Sequence, residues 1–405
     1  MDSKGFEIKI PITMKRYIVT LIFVALGIAS SVAKYNPDTE RLFEKQVGRT
    51  EIIIPQVNGY NCYKADLHVH TIYSDGEVTP EERVREAWHD GLDILAITDH
   101  IETRRQERSM LKFLKNYSPD KKGFEPINTR CSRGVPADER GIIADLNFSY
   151  NLAKSQNKDY PELMLIRGTE ISREPVKIGH FCALFTKDNN TIYDRDDMQT
   201  IRNARAQGAL ITYNHPGWER TSTDVTEFEQ KAYDEGLIDG IEVVNGSSFY
   251  PKIVRRAIER KFYMVSATDT HKPTATQFGS ISAFRNMTLI FAKEKSEKGI
   301  REALEAQRTL CYSAGYVIGE ERLLSDLFHA SVKAEKVHEN KEKGKVTFTL
   351  SNNSSLEYRI TCGQHPYIIP AMGKVNISVA KGEIPIVVTN MIHVERKNLE
   401  IKLNY

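Results

Sequence analysis

The stretch Asp66-Leu-His-Val-His-Thr71 ends a β-rich run with two histidines that are separated by one residue. Side chains of a strand alternate between its two faces, so His68 and His70 are expected to project from the same face. Leu95-Ala-Ile-Thr-Asp-His100 has the same form, an apolar run that closes with an acid and a histidine. Similar runs recur as far as residue 269 and are separated by helical patterns. This alternation is typical of βα units around a parallel sheet.

Seven predicted strands account for this pattern. They are residues 63–70, 93–100, 163–171, 179–185, 210–215, 240–245 and 263–269. The helix after the first strand has the clearest signals, because Thr79 and Glu82 have capping-box spacing and Pro80 suits the first helical position. Gly91 is suited to end it. The predicted fold class is therefore α/β.

Changes in composition divide the chain into segments. Residues 34–59 are predicted to be a polar linker, and residues 60–330 a catalytic domain with a long polar insert at 102–158. From about Lys345 the chain alternates apolar and polar residues in short runs that Asn, Gly and Pro interrupt. Residues 331–405 are therefore predicted to form a small antiparallel β accessory domain.

The composition excludes several classes of function. The 405 residues are 40% hydrophobic and 27% charged, which is typical of a globular protein. The net charge of +2 provides no field for binding nucleic acid, and no basic stripe with interleaved aromatics is present in the sequence. None of the five cysteines forms a CxxC pair, which argues against a thiolate zinc site.

The N-terminus has the pattern of a secretory signal. Lys15 and Arg16 precede an apolar run at residues 17–29, and small residues follow to Ala33. The run is shorter than the roughly 20 residues that span a bilayer. We therefore expect residues 1–33 to be a cleaved signal peptide, with Met14 as an alternative start and a retained anchor as the alternative outcome. The mature protein is expected to be periplasmic or secreted, without a transmembrane anchor.

Six histidines and three acids lie at or near the ends of predicted strands. They are His68, His70, Asp75, His100, Glu170, His180, His215, Asp269 and His271. In barrels of βα units, the carboxyl ends of the strands carry the chemistry. Imidazoles and carboxylates without thiolates suit Mn, Zn or Fe, and nine ligands exceed one coordination sphere. The sequence therefore predicts two or three divalent metal ions.

Several motifs in chain order carry a resemblance to a known family. They are Asp66-Leu-His-Val-His-Thr71, Ser74-Asp-Gly76, Leu95-Ala-Ile-Thr-Asp-His100, Gly168-Thr-Glu170, Asn214-His-Pro216 and Thr268-Asp-Thr-His271. Together they resemble the PHP (polymerase and histidinol phosphatase) family of metal-dependent phosphoesterases. The resemblance implies a distorted (β/α)7 barrel with a trinuclear metal centre. The signal peptide and the β-rich tail further resemble an exported bacterial phosphodiesterase branch, together with Asn214-His-Pro-Gly-Trp218 and Gly240-Ile-Glu-Val-Val-Asn-Gly246.

The resemblance also implies a division of the ligands among three ions. One ion would be held by His68, His70, Glu170 and Asp269. Glu170 would bridge to a second ion on His180 and His215, and a third ion would bind Asp75, His100 and His271.

Other residues are candidates for catalysis or substrate binding. Asp99 or His271 is a candidate proton donor to the leaving oxygen, with a role for Asp99 in orienting a histidine as the alternative. A guanidinium that positions phosphate is expected, and Arg173 is preferred because it follows Glu170 closely. Further candidates are Arg104, Arg105 and Lys272. Trp218 is a candidate wall for an apolar leaving group, with a buried packing role as the alternative.

The predicted function is hydrolysis of a small phosphate ester, most simply a phosphodiester, by water activated between two cations. A phosphomonoesterase that acts on a nucleotide or sugar phosphate is the alternative within enzymes. A non-catalytic binding module is the alternative of another class, although no candidate ligand is missing. The natural substrate, the native metal and the oligomeric state are not determined by the sequence.

Overall fold

The computed structural model describes residues 48–104, 106, 145–279, 283–380 and 385–402. The predicted signal peptide, most of the predicted linker and most of the polar insert, including Arg105, lie outside the described residues. Within the part that the structure describes, no helix is both long enough and apolar enough to cross a membrane.

All seven predicted strands are present, with somewhat different ends. The first eight strands of the structure are β1 (Asn61–Asp66), β2 (Ile94–Ile97), β3 (Met164–Ser172), β4 (His180–Leu184), β5 (Leu210–Tyr213), β6 (Gly240–Asn245), β7 (Ser248–Phe249) and β8 (Tyr263–Ala267). The additional strand, β7, is a two-residue segment that pairs with the end of β6. Strand β1 ends at Asp66, so His68 and His70 follow the strand instead of lying within it.

The seven predicted strands surround a common axis. Their order is β1-β2-β3-β4-β5-β6-β8. A parallel bridge between Val69 and Thr270 joins the segments that follow β1 and β8, which closes the ring. The His70 N–H donates to Thr270 O at 3.1 Å, and the Asp269 N–H donates to His68 O at 2.9 Å. The architecture is the distorted (β/α)7 barrel that the resemblance implied.

Strand β4 departs from the predicted parallel arrangement. It runs antiparallel to both neighbours, and His180 pairs in register with Ser172. Only residues 173–179 connect β3 to β4, whereas a parallel crossover needs about a dozen residues or more. Because β4 is reversed, its first residue lies at the end of the barrel where the parallel strands finish. His180 therefore joins the other candidate ligands from the start of a strand.

Helices and short 3₁₀ turns connect the strands. The helices are α1 (Pro80–His89), α2 (Phe148–Asn157), α3 (Asp197–Ala206), α4 (Glu227–Asp234), α5 (Pro251–Arg260), α6 (Thr274–Phe278), α7 (Glu297–Glu305) and α8 (Glu321–Ser331), and the 3₁₀ turns are Asn189–Thr191 and Val394–Arg396. Helix α1 begins as predicted, since the Thr79 hydroxyl accepts the N–H of Glu82 and Pro80 is the first helical residue. Gly91 follows its end with a φ of +85°, where a Cβ would lie 2.5 Å from Thr50 O.

The remaining strands extend the structure beyond the barrel. They are β9 (Met287–Ala292), β10 (Thr309–Ser313), β11 (Tyr316–Ile318), β12 (Val332–Asn340), β13 (Lys345–Asn352), β14 (Tyr358–Cys362), β15 (His365–Ile369), β16 (Lys374–Ala380), β17 (Pro385–Ile392) and β18 (Asn398–Lys402). Strands β12, β13 and β16 form the small antiparallel sheet predicted for the C-terminal region. The other C-terminal strands continue the main sheet, because β17 pairs with β11.

The C-terminal strands share a hydrophobic core with the barrel. Tyr358 and Leu399 are fully buried in the same cluster as Leu95 and Leu310. The Tyr358 hydroxyl also donates to Ser331 Oγ at 2.8 Å. The packing of these strands therefore stabilises the barrel, although they contribute no candidate ligand.

A protein that ends at Ser331 is expected to lose most of its soluble yield and stability. Removing residues 332–405 would expose the barrel side of this shared core, and each large buried apolar side chain contributes roughly 1.5–3 kcal/mol. Thermal unfolding and soluble yield would measure the effect. A soluble truncated protein with an unchanged Tm would contradict it.

Candidate metal centre

The structure brings all nine candidate ligands together at one end of the barrel. Most of them follow the ends of parallel strands, Glu170 lies in β3, and His180 begins β4. They form three overlapping groups, which are His70, Asp75, His100 and His271; His68, His70 and Glu170; and Glu170, His180 and His215. Within each group the potential ligand atoms lie within 4.8 Å of one another. Asp269 Oδ1 adds to the second group, 3.0 Å from His70 Nε2 and 3.4 Å from His68 Nε2.

Glu170 lies between the groups. Its carboxylate is fully buried, and its two oxygens face different imidazoles. The oxygen–nitrogen distances are 2.6 Å to His100 Nδ1, 3.3 Å to His180 Nδ1, 3.4 Å to His215 Nε2, 3.5 Å to His68 Nε2 and 3.6 Å to His70 Nε2. A carboxylate in this position can bridge two cations.

Asp75 is the carboxylate of the more open group. Asp75 Oδ1 lies 3.2 Å from His271 Nε2, 3.4 Å from His100 Nε2 and 3.9 Å from His70 Nδ1. The grouping differs in one respect from the division that the resemblance implies. His70 has its Nδ1 toward Asp75 and its Nε2 toward Glu170 and Asp269, so it borders two groups.

Backbone and carboxylate acceptors set the tautomers of three histidines. His180 Nε2 lies 3.1 Å from Arg173 O, and His271 Nδ1 lies 2.9 Å from Asp269 O. His68 Nδ1 lies 2.8 Å from Glu242 Oε1. Because these oxygens accept, the nitrogens facing them carry the proton, and the opposite nitrogen of each ring directs its lone pair toward the cluster. This orientation suits metal ligands, and it leaves the expected role of His271 as a proton donor a prediction.

Charge balance within the cluster perturbs its pKa values. Burial raises the pKa of Glu170, but the charges of His100, His68 and His180 outweigh burial and hold the pKa well below its usual range. Burial lowers the pKa of His70 to about 4, assisted by the charges of His100 and His271. Burial also lowers the pKa of His68 and His100, but the negative charges of Asp269 and Glu170 outweigh it and raise both well above the ordinary value. Because ionised carboxylates and neutral imidazoles are the forms that bind metal, these two histidines would release protons when an ion binds.

Buried atoms of the cluster support the same interpretation. His70 Nδ1, Asp75 Oδ1 and Glu170 Oε2 are buried and form no well-aligned hydrogen bond among the described residues, and the polar atoms nearest the two carboxylate oxygens are imidazole nitrogens of the same cluster. Such an atom costs about 1–3 kcal/mol when nothing compensates it. All three atoms belong to the cluster and are of the type that ligates Mn, Zn or Fe. The residues present therefore fit a multinuclear metal site.

Two of the candidate ligands have unusual backbone conformations. The φ angle is +25° at His215 and +51° at Asp269, in the left-handed region that favours glycine. Strain of this kind concentrates at functional sites, where the surrounding structure maintains it. The Asp269 N–H and the His215 N–H are both hydrogen-bonded within the site, to His68 O and to Glu242 Oε2.

Glu242 and Asn214 support the ligands, although neither was a candidate site residue in the sequence. Glu242 is fully buried and accepts from His68 Nδ1, from the His215 N–H at 2.6 Å and from Asn245 Nδ2 at 2.8 Å. Asn214 Nδ2 donates to Glu170 Oε1 at 2.8 Å. A charged residue inside the apolar run of β6 was the signal that could have identified Glu242.

The variant Glu242→Gln is expected to bind metal about 10- to 100-fold more weakly, because a histidine ligand loses its orienting carboxylate. Titration of metal against a competing chelator would measure the affinity. Glu229→Gln is a matched control, since Glu229 is equally buried but pairs with Tyr213 and Arg220. The control is expected to lower the Tm without changing metal affinity; equal metal affinity in Glu242→Gln and the wild type would contradict the prediction.

The structure gives Asp99 a role that differs from both predicted ones. Its carboxylate accepts the Thr71 N–H at 2.7 Å, the Thr71 hydroxyl at 2.7 Å and the Ser74 hydroxyl at 2.6 Å. These bonds hold the turn that precedes Asp75. None of them reaches a histidine ring, so Asp99 acts through the position of this turn.

The candidate phosphate-binding arginines are paired with protein groups. Arg173 contacts Glu102 at 3.1 Å and Asp197 at 3.0 Å, and its third nitrogen donates to Asp194 O and Thr200 Oγ1. The expectation that Arg173 positions phosphate is therefore not supported by its geometry. Arg104 is also buried and donates to His100 O. Lys272, beside His271, is exposed.

Fold and site together define the class of protein, a distorted βα barrel whose strand ends form a buried multinuclear metal site of imidazoles and carboxylates. The model of the PHP domain family matches residues 66–340, which include all nine candidate ligands. The chain belongs to the PHP family of metal-dependent phosphoesterases.

The similarity to a solved two-domain structure agrees with this assignment. The chain is 30% identical to a two-domain protein of Bacteroides vulgatus containing a predicted PHP-like metal-dependent phosphoesterase. That alignment covers 89% of this chain and 100% of the other, with a TM-score of 0.74. An amidohydrolase from Chromobacterium violaceum is 16% identical over 52% of this chain and 88% of its own, with a TM-score of 0.32. A search among curated proteins gave no match.

Proposed function

We propose that the protein is an exported phosphodiesterase that requires divalent metal ions. The observation that carries the proposal is the buried cluster of six imidazoles and three carboxylates around Glu170. When bound, divalent ions make a nucleophilic water available near neutral pH and compensate charge on a phosphoryl oxygen. Phosphoryl transfer needs little else from a protein beyond positioning and charge stabilisation.

The residues of the chain provide that positioning. Glu170 and Asp269 supply negative charge at the centre, and Asp75 supplies it in the more open group. Glu242 orients the His68 ring through its Nδ1, and Asn214 orients Glu170 by donating to its Oε1. His271 is the most exposed ligand, with 35% of its side chain accessible, whereas His68, His70 and Glu170 are at most 1% accessible. Substrate is therefore expected to approach over His271 and Asp269, whose carboxylate oxygens lie 3.8 Å from His271 Nδ1 and 4.0 Å from His215 Nε2.

The preference for a diester rests on charge. A monoester is dianionic near neutral pH and would require more cationic groups than a monoanionic diester. The predicted phosphate-binding arginines of the described region, Arg104 and Arg173, are already paired with protein oxygens. This pairing favours the diester.

Matched nitrophenyl esters test the proposal. Protein without residues 1–33 would be loaded with Mn²⁺ or Zn²⁺, and its turnover of bis(4-nitrophenyl) phosphate and 4-nitrophenyl phosphate compared, with bound metal counted in the same sample. We expect faster diester turnover with two or three bound ions. Faster monoester turnover would indicate the phosphomonoesterase, and an inert, metal-free protein would indicate the binding module.

Export is a separate part of the proposal. It rests on the charged, apolar and small-residue regions of residues 15–33. Expression of the full chain in a bacterium, followed by fractionation and mass measurement, would test it. We expect a periplasmic or secreted product that begins near residue 34, and an uncleaved product in the membrane fraction would indicate the retained anchor.

A further inference from the structure

Trp218 lies half-exposed against two of the candidate metal ligands. Its ring centroid is 5.1 Å from that of His180 and 5.3 Å from that of His215. The side chain is nevertheless 45% exposed. An indole of this size usually contributes to a core, so one that leaves much of its surface open beside a metal site is available for a ligand.

The turn that carries Trp218 is firmly held. The Trp218 N–H donates to His215 O at 2.9 Å. Gly217 lies against Tyr250, where an added Cβ would come within 2.7 Å of the ring. Arg220 donates to Pro175 O at 2.8 Å and to the buried Glu229 at 2.5 Å. These contacts limit the movement of the indole in the free protein. Binding of a ligand to the indole therefore costs the protein little conformational entropy.

Both apolar and charged side chains are exposed in the turn of Trp218 and in the segment bonded to it, namely Val176, Lys177 and Glu219. The hydrogen bond from Arg220 to Pro175 O joins the turn to the segment that contains Val176. Val176 is 49% exposed. The deeper ligands His68, His70 and Glu170 are closed to solvent, whereas the side chain of Asp269 is 19% accessible. A phosphate that approaches over Asp269 would lie beside His215, so one of its ester substituents would be within reach of the exposed indole of Trp218.

We propose that Trp218 determines substrate specificity by stacking on a planar aromatic ring in one substituent of the phosphodiester. Offset or edge-to-face contact with an indole favours aromatic rings over saturated rings of equal size. An aryl ester and a nucleoside ester share this chemistry. The inference rests on the proposed phosphodiesterase function and names the substrate class of that site.

Fluorescence separates binding from turnover. The chain has two tryptophans, Trp88 and Trp218, so Trp88→Phe leaves Trp218 as the single indole. Trp88 lies on helix α1, donates to Glu162 and contacts the ring of Tyr160, none of which is a candidate ligand. In the Mn²⁺-loaded Trp88→Phe protein, diphenyl phosphate is expected to change the emission of Trp218, and dicyclohexyl phosphate, of equal carbon count, is expected not to. Equal responses to both esters would overturn the inference.

Kinetics with matched variants completes the test. Trp218→Leu is expected to raise the KM for bis(4-nitrophenyl) phosphate about 10-fold with little change in kcat, and Trp218→Phe to recover part of the loss. Metal content and Tm should match the wild type, and Trp88→Leu is the control. The dinucleotide dTpdT distinguishes the sources: a similar loss on dTpdT indicates a nucleoside ester, and a loss confined to the nitrophenyl ester indicates an aryl ester.

The experiments distinguish failure of this inference from failure of the proposed function. Equal KM values in Trp218→Leu and wild type, with normal diester turnover, would overturn the role of Trp218 and leave the phosphodiesterase standing. A metal-loaded wild type that turns over no diester and gives no fluorescence response would overturn both.

Discussion

Replacing Glu170 with glutamine is expected to lower phosphodiester turnover by about 100- to 1000-fold, the scale seen when one preorganised electrostatic contact is removed. The substitution keeps the size of the side chain but removes the negative charge that lies among five imidazoles. A neutral amide bridges two cations poorly, so bound metal should also fall by at least one ion. Steady-state kinetics and metal analysis of the same sample would measure both effects.

Glu174→Gln is the matched control for this variant. Glu174 is four residues further along the chain, and its carboxylate accepts the backbone N–H groups of Val176 and Lys177. Its turnover and metal content are expected to remain near those of the wild type. Wild-type turnover in a folded Glu170→Gln protein would remove the metal mechanism from consideration.

The variant His271→Ala is expected to lose less turnover than Glu170→Gln, because it alters only one of the three ligand groups. His271 belongs to the group with Asp75, His100 and His70, and it is the most exposed ligand. We expect the loss of the ion in this group while the ions around Glu170 remain. Turnover should fall by at least about 10-fold, the lower end of the range for removed metal-site contacts. Unchanged turnover with a full complement of metal would exclude His271 as a ligand.

Removal of metal is expected to abolish turnover and to lower the Tm by several degrees. An ion that binds only the folded protein at 100 times its Kd contributes about 2.7 kcal/mol. Without it, buried ligand atoms such as His70 Nδ1, which forms no hydrogen bond among the described residues, lose their compensation. Calorimetry and activity assays before and after chelation, followed by return of Mn²⁺, would measure the two effects together.

Metal affinity is expected to fall as the pH falls. Imidazoles bind metal only when they are unprotonated, so lowering the pH from about 8 to about 5.5 should weaken metal binding. The difference in Tm between the metal-loaded and the chelated protein should therefore become smaller. The chelated protein should regain both turnover and Tm when metal returns. Full turnover after complete removal of metal would contradict the proposed function.

Much of the site could be predicted because its signals are local. The spacing of His68 and His70, and the positions of His100, His215 and His271 after apolar runs, depend only on neighbours in the chain. The strands themselves were predicted for the same reason, since a pattern of apolar residues is read within a few positions. The carboxyl ends of parallel strands lie at the same end of a barrel, so residues that follow these strands come close together there.

The structure differs from what the sequence led us to expect at residues whose partners are set by long-range packing. Arg173 was expected to meet phosphate, but Glu102 and Asp197 reach it from other parts of the chain. Asp99 was expected near the chemistry, and its partners are in the turn at residues 71–74. Glu242 was passed over because its partners, His68 and the His215 N–H, are distant in sequence.

By itself, the sequence determined the kind and the order of the ligands, since imidazoles, carboxylates and strand ends are properties of short segments. The tertiary structure decided how these ligands are grouped, which ring nitrogen faces the cluster, and how Trp218 meets His180 and His215. It also decided that β4 runs in reverse, so that the start of that strand brings His180 to the site. The physical reason is that distances and hydrogen-bond partners between distant segments exist only after the barrel closes at Val69 and Thr270.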